Sequence, residues 1–253
     1  MNHHDDHHDE PRAGFVGRIA IAILRVINAV VFRHRWQNLQ NMPARGPVIV
    51  AVNHVSHIDT LLVARLIWDS GRLPRFMAKR SLWDVPVLGF IMRKTQQIPV
   101  TRYSTDAANS LNAAVDALHR GEVVVIYPEG TTTKDPQQWP MYPKTGLARL
   151  SLLEPDVPVV PISQWGAQPR KPGEPRRRRT VVADIGTPLD MAHWQGMAPN
   201  AETLERIGAE VMGVVRAGVG RLRNETPPAL PFRPVSKSTI DSPQRLTDND
   251  FSS

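Results

Sequence analysis

An α/β domain with a mixed, largely parallel central sheet flanked by helices is the fold class this sequence predicts. Three observations carry it. Strand candidates at 47–52, 74–78, 95–100, 122–127, 157–162 and 180–185 interleave with helix candidates at 58–69, 85–93, 104–119, 145–153 and 202–222. The run Val48-Ile49-Val50-Ala51-Val52 is apolar throughout, the pattern of a buried strand, and a helix-period run from Ile58 to Ile67 follows the polar stretch after it. Polar residues collect where strand candidates stop, the place where ligands bind in α/β sheets. The chain has 253 residues, 41 % hydrophobic and 22 % charged, enough for one sizeable domain with tails.

In chain order, residues 1–12 are polar and read as a disordered tail. His3, His4, His7 and His8 lie there among acids, a composition that also suits a weak metal site. Residues 13–33 read as an amphipathic helix. Arg18, Ala22, Arg25, Ala29 and Arg33 form one stripe, and Phe15, Ile19, Ile23, Val26, Ile27 and Val30 cover the other side. Arginines mid-helix cost about 2.5–3.5 kcal/mol each on insertion scales, which disfavours a spanning segment and favours a helix lying in a membrane interface. The alternative is a surface helix packing its apolar face on the core. Arg33, His34, Arg35 and Trp36 follow, residues suited to the headgroup level. A domain over 34–225 comes next, and residues 226–253, rich in Pro, Ser, Asp and Asn, read as a second disordered tail.

Composition narrows the chemistry. The chain lacks cysteine, which removes disulfides, thiolate nucleophiles and cysteine–metal sites. A net charge of +7 suggests an anionic partner. With three Tyr, six Phe, no aromatic-plus-basic pattern and no helix-turn-helix signature, an anionic membrane surface is the better fit and no nucleic-acid partner is expected. The loop 166–180, with Arg170, Lys171 and Arg176 to Arg179, is either a solvated run or a contact for lipid headgroups.

Four stretches carry candidate chemistry. In Asn53-His54-Val55-Ser56-His57-Ile58-Asp59, a histidine five positions before an aspartate can form a general base held by a carboxylate. Ser56-x-x-Asp59 also resembles a capping box, in which Asp59 would only start a helix. Ile98-Pro99-Val100-Thr101-Arg102 ends a strand on an arginine, whose donor fork matches phosphate, although an isolated arginine also serves as a surface salt bridge. Tyr127-Pro128-Glu129-Gly130-Thr131 presents Glu129 after a strand, either to accept from a substrate hydroxyl or to pair with a base such as Lys144. Val157-Pro158-Val159-Val160-Pro161-Ile162 forms a wall without titrating groups. No Gly-x-Ser-x-Gly elbow occurs, so a serine hydrolase is excluded.

Taken in order, these stretches resemble the four blocks of the glycerolipid acyltransferase family, the PlsC-like 1-acylglycerol-3-phosphate acyltransferases, over roughly residues 35–190. Lys79 with Ser81-Leu82, Pro86 and Gly89 looks like the family's lysine-containing segment, and Lys144-x-Gly146 like the segment after the third block. The resemblance implies a membrane-associated enzyme that moves a fatty acyl group from acyl-CoA or acyl-carrier protein to a lysophospholipid, giving phosphatidic acid, without cofactor or metal. It implies His54 as general base, Asp59 as its orienting partner, Lys79 and Arg102 facing the acceptor phosphate, and Glu129 and Gly130 at the glycerol part. Thr131 and Lys144 complete the expected substrate-binding set. The expected location is the cytoplasmic face of the cell membrane, peripheral or monotopic. Two positions depart from the pattern. The third block usually continues Gly-Thr-Arg-Ser, where this chain has Thr132-Thr133, and Thr101 stands where Asp or Asn is common. Both leave open another acceptor, such as a different lysophospholipid, a glycolipid or glycerol-3-phosphate. A lipid-binding protein without activity is the reading from a different class.

Overall fold

The computed structural model describes residues 22, 26, 30–101, 106–170, 173–174 and 177–234. They form a seven-stranded sheet, β1 (Phe32–Gln37), β2 (Val48–Val52), β3 (Pro74–Lys79), β4 (Ile98–Val100), β5 (Val123–Ile126), β6 (Val159–Trp165) and β7 (Arg179–Ile185), in the order β1-β7-β6-β2-β5-β3-β4. Every pairing is parallel except β6 with β7. The helices are α1 (Asp59–Asp69), α2 (Pro86–Lys94), α3 (Asp106–His119), α4 (Gly146–Leu153) and α5 (Ala201–Arg223).

All five residues of β2 are fully buried, as a parallel strand covered on both faces requires. Alternate side chains divide between two cores. Ile49 and Ala51, with Val124 and Ile126 of β5, meet Ala114, Ala117 and Leu118 of α3, Leu147 and Leu150 of α4, and Ile207 and Val211 of α5. Val48, Val50 and Val52 face the other way, against Val63, Leu66 and Ile67 of α1. Helix ends follow local chemistry: Pro86 opens α2, and the Asn200 side chain accepts a hydrogen bond from the Thr203 N–H at the start of α5.

Strands β4 and β6 are shifted from the predicted 95–100 and 157–162, and both ends of the domain differ from the sequence reading. Ala22, Val26, Val30 and Val31 are helical and exposed, and the rest of 13–31 lies outside the described residues, as does the 1–12 tail with its histidines. Phe32 and Arg33, assigned to that helix from sequence, belong to β1 instead. Phe32, His34 and Trp36 alternate inward with exposed Arg33, Arg35 and Gln37, and the strand pairs in register with Arg179–Asp184. Residues 226–234, read as the start of a loose tail, pack on the domain: Phe232 O accepts from the Tyr142 N–H at 3.0 Å, and Arg233 stacks 3.5 Å from the Tyr142 ring. Residues 235–253 lie outside the described residues.

The topology sets up one edge of the sheet. Because β2, β3, β4 and β5 are parallel, the residues after each of them emerge together at the carboxyl edge. β1 and β7 run oppositely to β6, so their first residues, Phe32 and Arg179, lie at that edge too.

Candidate active site

The site starts where β2 ends. Asn53, wholly buried, is locked to β6: its Oδ1 accepts from Gln164 N–H at 2.9 Å, its Nδ2 donates to Gln164 O at 3.1 Å, and its own carbonyl accepts from Gln164 Nε2 at 2.8 Å. The next residue, His54, thereby leaves the strand on a fixed path. Its backbone N–H donates to Glu129 Oε1 at 2.7 Å, and its carbonyl accepts from Thr133 N–H at 2.7 Å. Its ring Nδ1 lies 2.8 Å from Asp59 Oδ1.

Asp59, also wholly buried, receives more than the imidazole. Its Oδ2 accepts from the Val55 N–H at 2.7 Å and the Ser56 N–H at 2.9 Å. Half of the expected capping box is present in this form, since Asp59 reaches back to Ser56 N–H while Ser56 Oγ accepts from Ile58 N–H at 3.3 Å. Two backbone donors hold the carboxylate still, and its Oδ1, an acceptor facing Nδ1, makes Nδ1 the donor of that contact and leaves Nε2 as the ring nitrogen with a free lone pair. The His54 side chain is 14 % exposed, and Nε2 has no partner among the described residues. Tyr127 lies flat on the imidazole, centroids 4.1 Å apart at 28°. Burial, and next the charge of Asp59, push its phenol well above the usual range, so it stays neutral beside the imidazole.

The turn after β5 buttresses this arrangement. Glu129 is 1 % exposed, and its second oxygen accepts from Met141 N–H at 2.9 Å. Glu129, read from sequence as an acceptor for a substrate hydroxyl or a partner of Lys144, turns each of its oxygens to a backbone N–H group, one of them that of His54. Burial outweighs these two bonds and, with Asp59 nearby, its carboxyl is pushed up to about 8. Gly130 adopts φ +69°, a left-handed turn that suits glycine, and a Cβ there would stand 3.3 Å from Lys144 Cγ. Thr131 is half-buried in the same turn. Lys144 is exposed and tied by its N–H to Pro128 O at 2.8 Å. Lys79, the last residue of β3, is exposed at the carboxyl edge. Arg102 lies outside the described residues, one position past Thr101.

The structure thus brings together His54, Asp59, Glu129, Gly130 and Lys144. Sequence reasoning missed Gln164, Thr133 and Tyr127 as parts of the site. Tyr127 had a signal, an aromatic opening the third motif. Gln164 and Thr133 had none, because their partners are distant in sequence. Beside Ser56 and Ile58 the structure also opens a mainly apolar cavity of about 310 Å³, lined further by Phe32, Ala167, Gln168 and Arg179.

The Acyltransferase family model matches residues 33–165, just over half of the sequence and the whole of this site. The chain belongs to the Acyltransferase family. A 1-acyl-sn-glycerol-3-phosphate acyltransferase of Bacillus subtilis is 27 % identical over 184 residues, covering 72 % of this chain and 85 % of the relative. A chloroplastic protein of that description from Brassica napus is 29 % identical over 51 % of this chain, which spans only 36 % of the length of that relative. A lyso-ornithine lipid O-acyltransferase of Pseudomonas aeruginosa is 28 % identical over 55 % of this chain and half of its own length. The crystal structure of the 1-acyl-sn-glycerophosphate acyltransferase PlsC from Thermotoga maritima superposes with a TM-score of 0.63 over 83 % of this chain and 81 % of that one, at 22 % identity, a likeness of fold. Within this Acyltransferase domain, no described helix is long and apolar enough to cross a membrane.

Proposed function

We propose that this chain transfers a fatty acyl group from an acyl thioester, acyl-CoA or acyl-carrier protein, to the free hydroxyl of 1-acylglycerol-3-phosphate, forming phosphatidic acid at a membrane surface. The supporting observation is the His54–Asp59 pair, 2.8 Å apart, on a partly exposed ring whose Nε2 has no partner among the described residues. In this reading Nε2 removes the hydroxyl proton as the acceptor oxygen attacks the thioester carbonyl. The C–O bond forms and a tetrahedral oxyanion develops, near the N–H groups at the start of α1. The intermediate collapses by breaking the C–S bond, and the imidazolium returns its proton to the departing thiolate. No group on the chain is acylated. Lys79, Arg102 and Lys144 are proposed to hold the acceptor phosphate.

One feature favours a second acceptor. Thr132, half-buried, stands where the family's motif implies an arginine, and relatives are named for lyso-ornithine lipid and for lysophosphatidylcholine. An acceptor without a terminal phosphate suits the uncharged Thr132.

The test uses detergent-solubilised protein, labelled long-chain acyl-CoA, and 1-acylglycerol-3-phosphate, glycerol-3-phosphate and other lysolipids as acceptors. Loss of general-base assistance removes about 10²–10⁴-fold in rate, so His54→Ala should retain at most about one hundredth of the activity with an unchanged circular dichroism spectrum. A loss below about tenfold in a folded variant would remove His54 from the reaction. Preference for another lysolipid would keep the mechanism and replace the acceptor.

A further inference from the structure

Helix α2 is poorly buried for a helix of an α/β domain. Gly89 is its only buried residue, and it meets the short 3-10 turn Arg80–Asp84 that precedes it. The contact is close, because a methyl group at Gly89 would stand 2.1 Å from the Trp83 carbonyl oxygen. Arg93 Nη1 donates to that same oxygen at 3.2 Å. Turn and helix are thus braced as one protruding unit on the buried Trp83. Its outer surface is apolar: Val85 is 48 % exposed, Val87 73 % and Phe90 47 %. Val87 and Phe90 share a helix face by their spacing of three.

The surroundings of this apolar tip are cationic. Lys79, Arg80, Arg93 and Lys94 are all exposed, against one exposed acid, Asp84, which pairs with Arg80 at 3.4 Å. The Lys94 ammonium lies over the Phe90 ring, 5.8 Å from its centre, so a charge stands directly beside the apolar tip. The unit begins where β3 ends, at the carboxyl edge that carries His54. A second exposed apolar pair, Ile58 and Leu61 at the start of α1, belongs to the same edge.

We infer that residues 79–94 are a membrane-docking unit, placing Val85, Val87 and Phe90 below the headgroups of an anionic bilayer while Lys79, Arg80, Arg93 and Lys94 meet its phosphates. An apolar tip ringed by cations matches a negatively charged lipid surface in both of its layers. This deepens the acyl-transfer reading and rests on it for its purpose: a lipid acceptor enters from the bilayer, and the docked edge is the one bearing the base.

The absence of cysteine makes a direct test available. Val87→Cys, labelled with an environment-sensitive fluorophore, is mixed with vesicles of phosphatidylcholine alone or with phosphatidylglycerol. The emission should shift to the blue only with the anionic vesicles and be quenched by spin-labelled acyl chains. A label at Leu153→Cys, exposed at the end of α4 near the opposite edge, should not respond. The double variant V87D/F90D should lose vesicle partitioning by about tenfold or more, the scale set by withdrawing two apolar side chains from an interface, while keeping acyl transfer to detergent-dispersed acceptor. A label at 87 that stays water-exposed on sedimenting vesicles overturns the inference. So does undiminished partitioning of the folded double variant, or a shift that tracks protein concentration without lipid, which would mean a second copy covers the face. A lipid-dependent shift in a protein that acylates no acceptor would sustain docking and remove the acyl-transfer reading instead.

Discussion

Glu129 has contacts that the sequence did not signal. Buried at the turn after β5, it accepts the backbone N–H of His54 and that of Met141, and so braces His54 from behind. Its folded pKa, about 8, lies above the ordinary 4.5, so the folded state holds a proton that the unfolded state has released between those values. Its contribution to stability is full below pH 4.5, declines as the pH rises toward 8, and levels off above that. Glu129→Gln sets an amide N–H₂ against one backbone donor and should cost about 1–3 kcal/mol near pH 6. Because the variant cannot ionise, that gap should narrow as pH rises to 8; urea unfolding from pH 5 to 9 measures it, and a widening gap would contradict the assignment. His54 and Asp59 were legible from sequence because five positions separate them and one turn brings them together. The bracing by Glu129 was not, since 75 residues separate it from His54, nor was the Asn53–Gln164 lock, which spans 111. Spacing reports local geometry, and these contacts exist only once the sheet is assembled.

At the scale of elements, the interleaved strands and helices were readable because each apolar run has the length and period of its type. β1 was not. Its inward residues are Phe32, His34 and Trp36, so only two of three are apolar enough to signal alternation, and the arginines between them matched the basic stripe of the preceding helix. α5 shows how closely elements fit once placed. At Gly218 it rests on Ser163 of β6, whose Oγ donates to Val215 O at 3.0 Å. A Cβ at Gly218 would stand 2.0 Å from Ser163 Oγ and 2.8 Å from the Ser163 Cβ. Gly218→Ala should therefore destabilise by about 1–3 kcal/mol despite the better helix propensity of alanine, the overpacking cost exceeding the gain of about 1 kcal/mol. Thermal unfolding of the variant decides the sign.

Across the whole molecule the two edges of the sheet do different work. At the amino edge Arg75 grips Glu122 with two bonds of 2.9 Å, both side chains buried, and Arg72 donates to the carbonyls of Pro43, Gly46 and Gly121. Burial alone would raise Glu122, but Arg75 and Arg120 outweigh it and hold the carboxyl below its ordinary value. Its stabilising effect is thus present above that value and lost as pH falls through the folded one. Glu122→Gln leaves Arg75 buried without its counter-charge and should cost about 3–5 kcal/mol, with no change in kcat/KM for the molecules that remain folded; a change in kcat/KM would show that the edges are coupled. The carboxyl edge has the opposite character, with His54 held by parts of the chain far apart in sequence. Contacts spanning 75 and 111 residues close large loops, and such closures come late when a chain folds. A newly synthesised or partly refolded copy can hold native-like helices and still lack an organised His54–Asp59 pair until the last strands are in place.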